Sequence, residues 1–61
     1  MMQTFKALTS MVIKDDMKIK KNKEYTGHLH DDNSLTIFSH YWMTWENRDW
    51  KKLFKFIRMG F

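Results

Sequence analysis

The chain has 61 residues, of which 43% are hydrophobic and 16% aromatic, and its formal net charge is +4. A chain this short has room for one hydrophobic core, so we expect a single domain over residues 1–61. It contains no cysteine, which excludes a disulfide framework and a cysteine-ligated zinc site and points to a reducing compartment, the cytoplasm. No apolar run reaches the roughly 18 residues of a membrane span, and the N-terminus lacks the pattern of a secretory signal.

The first third of the chain predicts β structure. Residues 3–13 are rich in β-branched and aromatic side chains, so we expect one strand, bent or bulged, with both faces buried near its end. In residues 14–23, Met17 and Ile19 alternate with lysines. This segment predicts an exposed arm or a short edge strand whose lysines oppose edge-to-edge pairing.

A β-hairpin is the clearest β signal, with strands at 24–30 and 35–40 flanking a polar turn cluster. A three-residue loop ending at Asn33 would place that residue in the left-handed conformation and set apolar residues opposite one another. The pairs of this register are Leu29 with Leu35, Gly27 with Ile37, and Tyr25 with Ser39. A two-residue turn would shift the register by one residue and set histidines opposite apolar side chains. The apolar clustering favours the longer loop.

The last part of the chain predicts a short strand at 42–45 and a helix at 46–58. The helix is indicated by apolar residues at helical spacing, which are Trp50, Leu53, Phe54 and Ile57. Thr44 or Asn47 is the expected N-cap, and Gly60 is the expected C-cap. The predicted fold class is therefore α+β. We expect a small antiparallel β-sheet or an SH3-like, partly open barrel, with one C-terminal amphipathic helix that covers a hydrophobic face.

The number of aromatic residues exceeds what a small core easily holds. Exposed Trp and Tyr are enriched at the energetically dominant positions of protein interfaces, which suggests a surface for a partner protein or for self-association. The candidate residues of this aromatic patch are Tyr41, Trp42, Trp45, Phe56 and Phe61. The alternative is that a chain this small uses every ring in its core.

The basic residues suggest a second candidate surface, for nucleic acid. Its members would be Lys18, Lys20, Lys21, Lys23, Lys51, Lys55 and Arg58, with Tyr25 and Phe38 as stacking rings. Because arginine is scarce, such binding would be driven by the phosphate backbone and would not select a base sequence. The alternative is that these lysines are ordinary solvated side chains.

Residues suited to chemistry are few. His28, His30 and His40 could ligate a metal, but they follow no fixed-spacing signature, and a solvent-facing polar strand explains them as well. There is no cysteine nucleophile and no glycine-rich phosphate loop, and the serines lack a nucleophile-elbow motif. We therefore expect no enzymatic activity, no cofactor and no resident metal.

Residues 17–57 resemble a broad class of short proteins. The resemblance rests on the run KIKKNKEYTGHLHDDNSLTIF, followed by an aromatic strand and a segment with the core WKKLF. The class is encoded in the early or accessory regions of tailed phages and mobile elements of low-GC Gram-positive bacteria. The resemblance implies a protein that acts in the cytoplasm of the bacterial host, where it binds and inhibits or modulates a host protein, as in host takeover or anti-defence. It transfers no functional residue.

Overall fold

The computed structural model describes residues 2–14, 17–39 and 42–60. Within these residues the chain forms seven strands and one helix. In chain order they are β1 (Gln3–Ala7), β2 (Met11–Lys14), β3 (Met17–Ile19), β4 (Glu24–Leu29), β5 (Leu35–Phe38), β6 (Trp42–Trp45), α1 (Asn47–Leu53) and β7 (Phe54–Met59). None of the residues described forms a helix with the length and apolar character that a membrane crossing requires.

Two antiparallel sheets are present. The larger sheet has five strands in the order β6-β5-β4-β1-β7, and β2 pairs with β3 in a separate ladder. In the part of the chain that the structure describes, β6 and β7 are the terminal strands and no ladder joins them, so the sheet is open. The prediction of a small antiparallel sheet with one helix near the C-terminus is confirmed, although the helix is shorter than predicted and a strand follows it.

The central hairpin has the predicted register. Leu29 lies opposite Leu35 and Gly27 opposite Ile37, and the ladder continues to the pair of Thr26 with Phe38. Asn33 has a φ of 68°, which is the left-handed conformation that the three-residue loop requires.

Hydrogen bonds fix this loop. The Asn33 N–H donates to the His30 carbonyl at 2.9 Å, and the His30 N–H donates to the Ser34 carbonyl at 2.9 Å. The Asp32 carboxylate accepts both the backbone N–H and the hydroxyl of Ser34. The Ser34 hydroxyl, followed by its backbone N–H, stabilises the charged carboxylate and lowers the pKa of Asp32 below its ordinary value.

The single strand predicted over residues 3–13 is wrong, because β1 ends at Ala7 and β2 belongs to the other sheet. At Ala7 the backbone N–H donates to the Lys23 carbonyl and the carbonyl accepts the Asn22 N–H. Because β4 begins at Glu24, it offers β1 no further hydrogen-bond partner beyond Ala7. The chain then leaves the larger sheet and forms β2, which pairs with β3. Val12 is 69% exposed, contrary to the expected burial of both faces.

The helix predicted over residues 46–58 is wrong in its second half, because α1 ends at Leu53 and β7 follows directly. β7 pairs with β1 from Phe54 to Met59, which gives the backbone groups on that side of β1 hydrogen-bond partners and buries Phe54. The sequence FKF also alternates with the two-residue period of a strand. Sheet pairing therefore overrides the helical spacing of the apolar residues.

The predicted caps are also wrong. Glu46 occupies the N-cap position with no side-chain hydrogen bond to the helix, so neither Thr44 nor Asn47 is the cap. Gly60 follows β7 instead of ending a helix. It has a φ of 78°, and its N–H donates to the Met2 carbonyl.

One cluster of buried side chains forms the core between the five-stranded sheet, α1 and β3. Its members are Phe5, Ala7, Ile19, Tyr25, Leu35, Ile37, Met43, Trp50 and Phe54. The Trp50 indole N–H also donates to the Asn33 carbonyl at 2.8 Å, which ties α1 to the hairpin loop. Gly27 lies beneath this core, where an added Cβ would be 2.9 Å from a ring carbon of Phe5 and 3.0 Å from Cδ1 of Ile37.

Candidate functional site

Alternate residues of the five-stranded sheet point away from the core, and we call the surface that they form the outer face. The register aligns them in three rows across the strands. The longest row crosses all five strands and contains Trp42, Phe38, Thr26, Thr4 and Arg58. A second row contains Thr44, Thr36 and His28. A third contains Glu24, Lys6 and Lys55.

Phe38 and Trp42, which we call the aromatic pair, lie at one end of the longest row. Their rings meet edge to face, with centroids 5.0 Å apart and an interplanar angle of 89°. Phe38 is partly buried, whereas Trp42 is 77% exposed on a terminal strand of the sheet. Phe38 therefore fixes one side of the Trp42 indole and leaves the rest open to a partner.

A hydroxyl network lies next to the aromatic pair. Thr36 is 8% exposed, and its Oγ1 is 2.8 Å from Oγ1 of Thr44 and 2.6 Å from Nε2 of His30. The rings of His28 and His30 meet edge to face with centroids 4.7 Å apart. These contacts link β4, β5 and β6 through outward side chains in the row next to that of Trp42.

Lys6, Lys55 and Arg58, which we call the basic cluster, lie at the other end of the outer face. Lys6 and Lys55 are directly opposite each other on β1 and β7. A β-bulge at Ile57 brings Arg58 to the same face as Lys55. The Arg58 guanidinium donates to the Glu24 carboxylate at 3.2 Å, and both side chains are about half exposed.

A shallow concavity of about 200 Å³ lies between the two ends of the outer face. Its outward-pointing lining residues are Thr4, Glu24, Thr26 and Arg58. Thr4 is 5% exposed and donates its hydroxyl hydrogen to the Gly60 carbonyl at 2.6 Å. The floor of the concavity is thus polar and fixed, and its rim includes the charged end of the face.

The structure does not bring the predicted aromatic patch together on one surface. Trp42 is on the outer face of β6, but Trp45 points inward and packs on Phe54, with ring centroids 5.2 Å apart. Phe56 is on β7 at the opposite edge of the sheet, where its ring contacts Phe5 in the core. Tyr41 and Phe61 lie outside the described residues. Among the described members of the patch, the outer face carries Trp42 alone.

The predicted nucleic-acid residues are distributed over three parts of the fold. Lys18, Lys20, Lys21 and Lys23 are on β3 and the turn that follows it, Lys51 is on α1, and Lys55 and Arg58 are on β7. Tyr25 is a poor stacking ring, because it is 6% exposed and its hydroxyl accepts the Lys20 N–H at 2.9 Å. Of the two proposed stacking rings, Phe38 lies on the outer face.

A second exposed apolar surface lies on the β2–β3 hairpin. Val12 is 69% exposed and Ile13 is 42% exposed, next to an open concavity of about 380 Å³ beside Met11 and Lys18. This surface belongs to the smaller sheet and carries no aromatic side chain in the residues that the structure describes.

The histidines form no recognisable metal site in the described residues. His28 and His30 point to the outer face, and His40 lies outside the described residues. Across residues 2–14, 17–39 and 42–60, no three His, Cys, Asp or Glu side chains gather into a group that could hold a metal ion.

Sequence reasoning did not identify Lys6 or the neighbouring threonines as site residues. The alternation of residues 3–7 predicts that Lys6 points to the face of the strand away from Phe5 and Ala7, which is a signal for a solvent-facing position. The pairing of Lys6 with Lys55 cannot be predicted from the sequence, because the spacing of the apolar residues places Lys55 in a helix. Comparisons with protein-family models, with curated proteins and with solved structures find no match for this chain.

Proposed function

We propose that this protein is a small, non-enzymatic binding protein that covers a surface of one host protein and thereby inhibits or modulates it. The contact surface is the outer face, and Trp42 at one end of its longest row is the main contact residue. The observation that carries this proposal is the 77% exposure of Trp42 on a terminal strand, next to side chains that are held in place. The resemblance of residues 17–57 to phage and mobile-element proteins adds the bacterial cytoplasm as the place of action.

Trp42 has the properties of a binding residue. An exposed indole contributes little to folding, whereas its burial at an interface removes a large apolar area from water at low cost in side-chain entropy. Residues of this kind often contribute about 2 kcal/mol or more to binding when a partner encloses them. Phe38 supports the ring before the partner arrives, which reduces the entropic cost of association.

We also propose that the sheet is an SH3-like, partly open barrel. Three features support this. A separate hairpin is inserted between β1 and β4, a short helix precedes β7, and β7 returns to pair with β1. The contact of Trp45 with Phe54 brings the first residue of β7 close to the end of β6, so the sheet curls around the core.

A second candidate function is nucleic-acid binding. The observation that favours it is that the outer face carries both an exposed ring, Trp42, and a cluster of cationic side chains. It predicts that short single- or double-stranded probes are retarded in a gel at about 50 mM salt and released at physiological salt. Absence of retardation at the lower salt concentration would remove this candidate.

Affinity capture from lysate of the native host tests the first proposal. The wild-type protein should retain one dominant protein, and Trp42→Ser should lose it while keeping the wild-type circular dichroism spectrum. Val12→Ser is the matched control, because Val12 is similarly exposed but lies on the other sheet. Equal capture by Trp42→Ser and wild type, or loss with Val12→Ser alone, would show that the outer face is the wrong surface.

A further inference from the structure

The outer face has an apolar end and a cationic end. The aromatic pair lies on β5 and β6, and the basic cluster lies on β1 and β7 at the other side of the sheet. Four strand-to-strand steps of about 4.8 Å separate Trp42 from Arg58, which gives about 19 Å along the sheet. An extended peptide rises about 3.3 Å per residue, so about six residues cross this span.

The cationic end is not balanced within the protein. Lys6 and Lys55 face each other directly, and like charges at such positions destabilise a sheet. Glu24 is the one carboxylate in the described rows of the outer face; it lies opposite Lys6 on β4 and is bound by Arg58, so one carboxylate faces three cationic side chains. The basic cluster therefore retains an excess of positive charge, which an approaching anion would relieve.

The surface between the two ends accepts a polypeptide. The row passes over Thr26 and Thr4, whose small side chains leave the concavity of about 200 Å³ open. Neither threonine is charged, and the hydroxyl of Thr4 is already used by Gly60. A partner side chain can enter above Thr26, and the Arg58–Glu24 ion pair, which reaches across β1, borders the far side of the concavity.

We infer that the segment bound by this face is an extended acidic stretch of the partner protein, an inference that rests on the function proposed above. An apolar side chain of the stretch packs on the aromatic pair. Its carboxylates, about six residues away along the segment, bind the basic cluster. The chain between them crosses the strands over Thr26 and Thr4. The net charge of +4 on the whole protein favours the encounter with such a segment.

The distribution of charge favours a peptide over nucleic acid. A nucleic-acid strand carries a phosphate on every nucleotide, so a strand stacked on Trp42 would pass uncharged threonines for most of the width of the sheet. An acidic peptide needs its charges at one end only, which is where the basic cluster lies.

Synthetic peptides test this inference directly. One series carries a phenylalanine and a Glu-Asp-Glu run joined by Gly/Ser spacers of about three or about six residues, and the two halves are also measured separately. A spacer of about three residues reaches at most about 14 Å and cannot span the face, whereas one of about six reaches about 24 Å. Amide chemical-shift titration of the ¹⁵N-labelled protein gives each dissociation constant. The longer peptide should bind at least about ten-fold more tightly than the shorter one or either half, and should shift both Trp42 and Lys55.

Charge-reversal variants locate the anionic contact. Lys6→Glu combined with Lys55→Glu should reduce the affinity for the longer peptide to that of the phenylalanine half alone. Lys18→Glu combined with Lys51→Glu changes the net charge equally, away from the outer face, and should retain most of the affinity. Affinity that does not depend on the spacer, or equal loss in both double variants, would overturn the inference. Tighter binding of a short oligothymidine at the same amides would also overturn it.

Failure of this inference is distinguishable from failure of the proposed function. In the capture experiment, the Lys6→Glu, Lys55→Glu double variant should lose the host protein as Trp42→Ser does. If it retains that protein while Trp42→Ser loses it, the outer face is a protein-binding surface but the acidic segment is wrong. If Trp42→Ser retains the host protein, the proposed function itself is wrong.

Discussion

Trp42→Ala and Trp45→Ala should have very different effects on stability, although both residues lie on the same four-residue strand. A fully buried aromatic side chain removes on the order of 150–250 Å² from water. Trp42 is 77% exposed and so buries about a quarter of its surface, or about 50 Å². At about 25 cal/mol per Å² its removal costs about 1 kcal/mol, which is an upper estimate.

Trp45 contributes far more to the folded state. It is partly buried, packs against the core cluster and contacts the Phe54 ring. Truncation of a large aromatic residue in such a position costs about 3 kcal/mol. A domain of this size has a total stability of only about 3–5 kcal/mol, so Trp45→Ala should be close to unfolding at room temperature.

Urea denaturation followed by far-ultraviolet circular dichroism measures both free energies of unfolding. The midpoint of Trp42→Ala should fall by at most about a quarter, and Trp45→Ala should have a strongly reduced midpoint or no folded baseline. Equal destabilisation by the two substitutions would refute the assignment of Trp42 to the surface and Trp45 to the core. It would also remove the main reason for placing the binding site on the outer face.

Three further substitutions and one control substitution test other parts of the structure. Gly27→Ala should destabilise the protein by about 1–3 kcal/mol, because the added Cβ would press on the buried side chains of Phe5 and Ile37. An unfolding midpoint equal to that of wild type would contradict this packing. Lys55→Glu should raise the free energy of unfolding by a few tenths of a kcal/mol to about 1 kcal/mol, because it replaces the like-charge pair of Lys6 and Lys55. Lys51→Glu on α1 should give no such increase. Thermal unfolding at low salt compares the two variants. Asp32 stabilises the hairpin loop as a carboxylate. Because its pKa is lowered by folding, that contribution is complete above the unfolded pKa of about 3.9 and is lost as the pH falls through the folded pKa. Ser34→Ala should raise the pKa of Asp32, as followed by NMR titration of the carboxyl carbon, and an unchanged pKa would contradict the role of the hydroxyl.

The hairpin could be predicted from sequence because local chemistry and burial agree there. Asn33 tolerates the left-handed conformation, and the resulting register puts Leu29, Leu35, Gly27 and Ile37 on the side that becomes buried. An alternative turn would have placed histidines in the core. The conformation of the turn and the burial of the apolar residues therefore favour the same register.

The segment after Trp50 could not be predicted in the same way. Its apolar residues fit a helix, but Phe54 and Phe56 also fit a strand, and the choice depends on whether β1 has a free edge. Neither propensity nor periodicity contains that information, because the pairing joins residues more than 45 positions apart. The basic cluster could not be predicted for the same reason, because Lys6 and Lys55 become neighbours only through the pairing of β1 with β7.

The face that carries Trp42 could be identified only in part. The excess of aromatic residues correctly suggested that some rings remain outside the core, and Trp42 was among those named. A strand over residues 42–45 places Trp42 and Trp45 on opposite faces, but the sequence alone does not decide which of the two faces the core. The partners of Trp42 in its row come from four other strands, which only the sheet order reveals.

Site-specific photo-crosslinking at position 42 tests the central claim most directly. A photoreactive phenylalanine analogue replaces Trp42 on the outer face, and in a second variant it replaces Val12 on the β2–β3 hairpin. In cells of the native host, irradiation should join the position-42 variant to one dominant protein and should give no such product from position 12. A dominant product from position 12 with none from position 42 would contradict the assignment of the outer face as the binding surface.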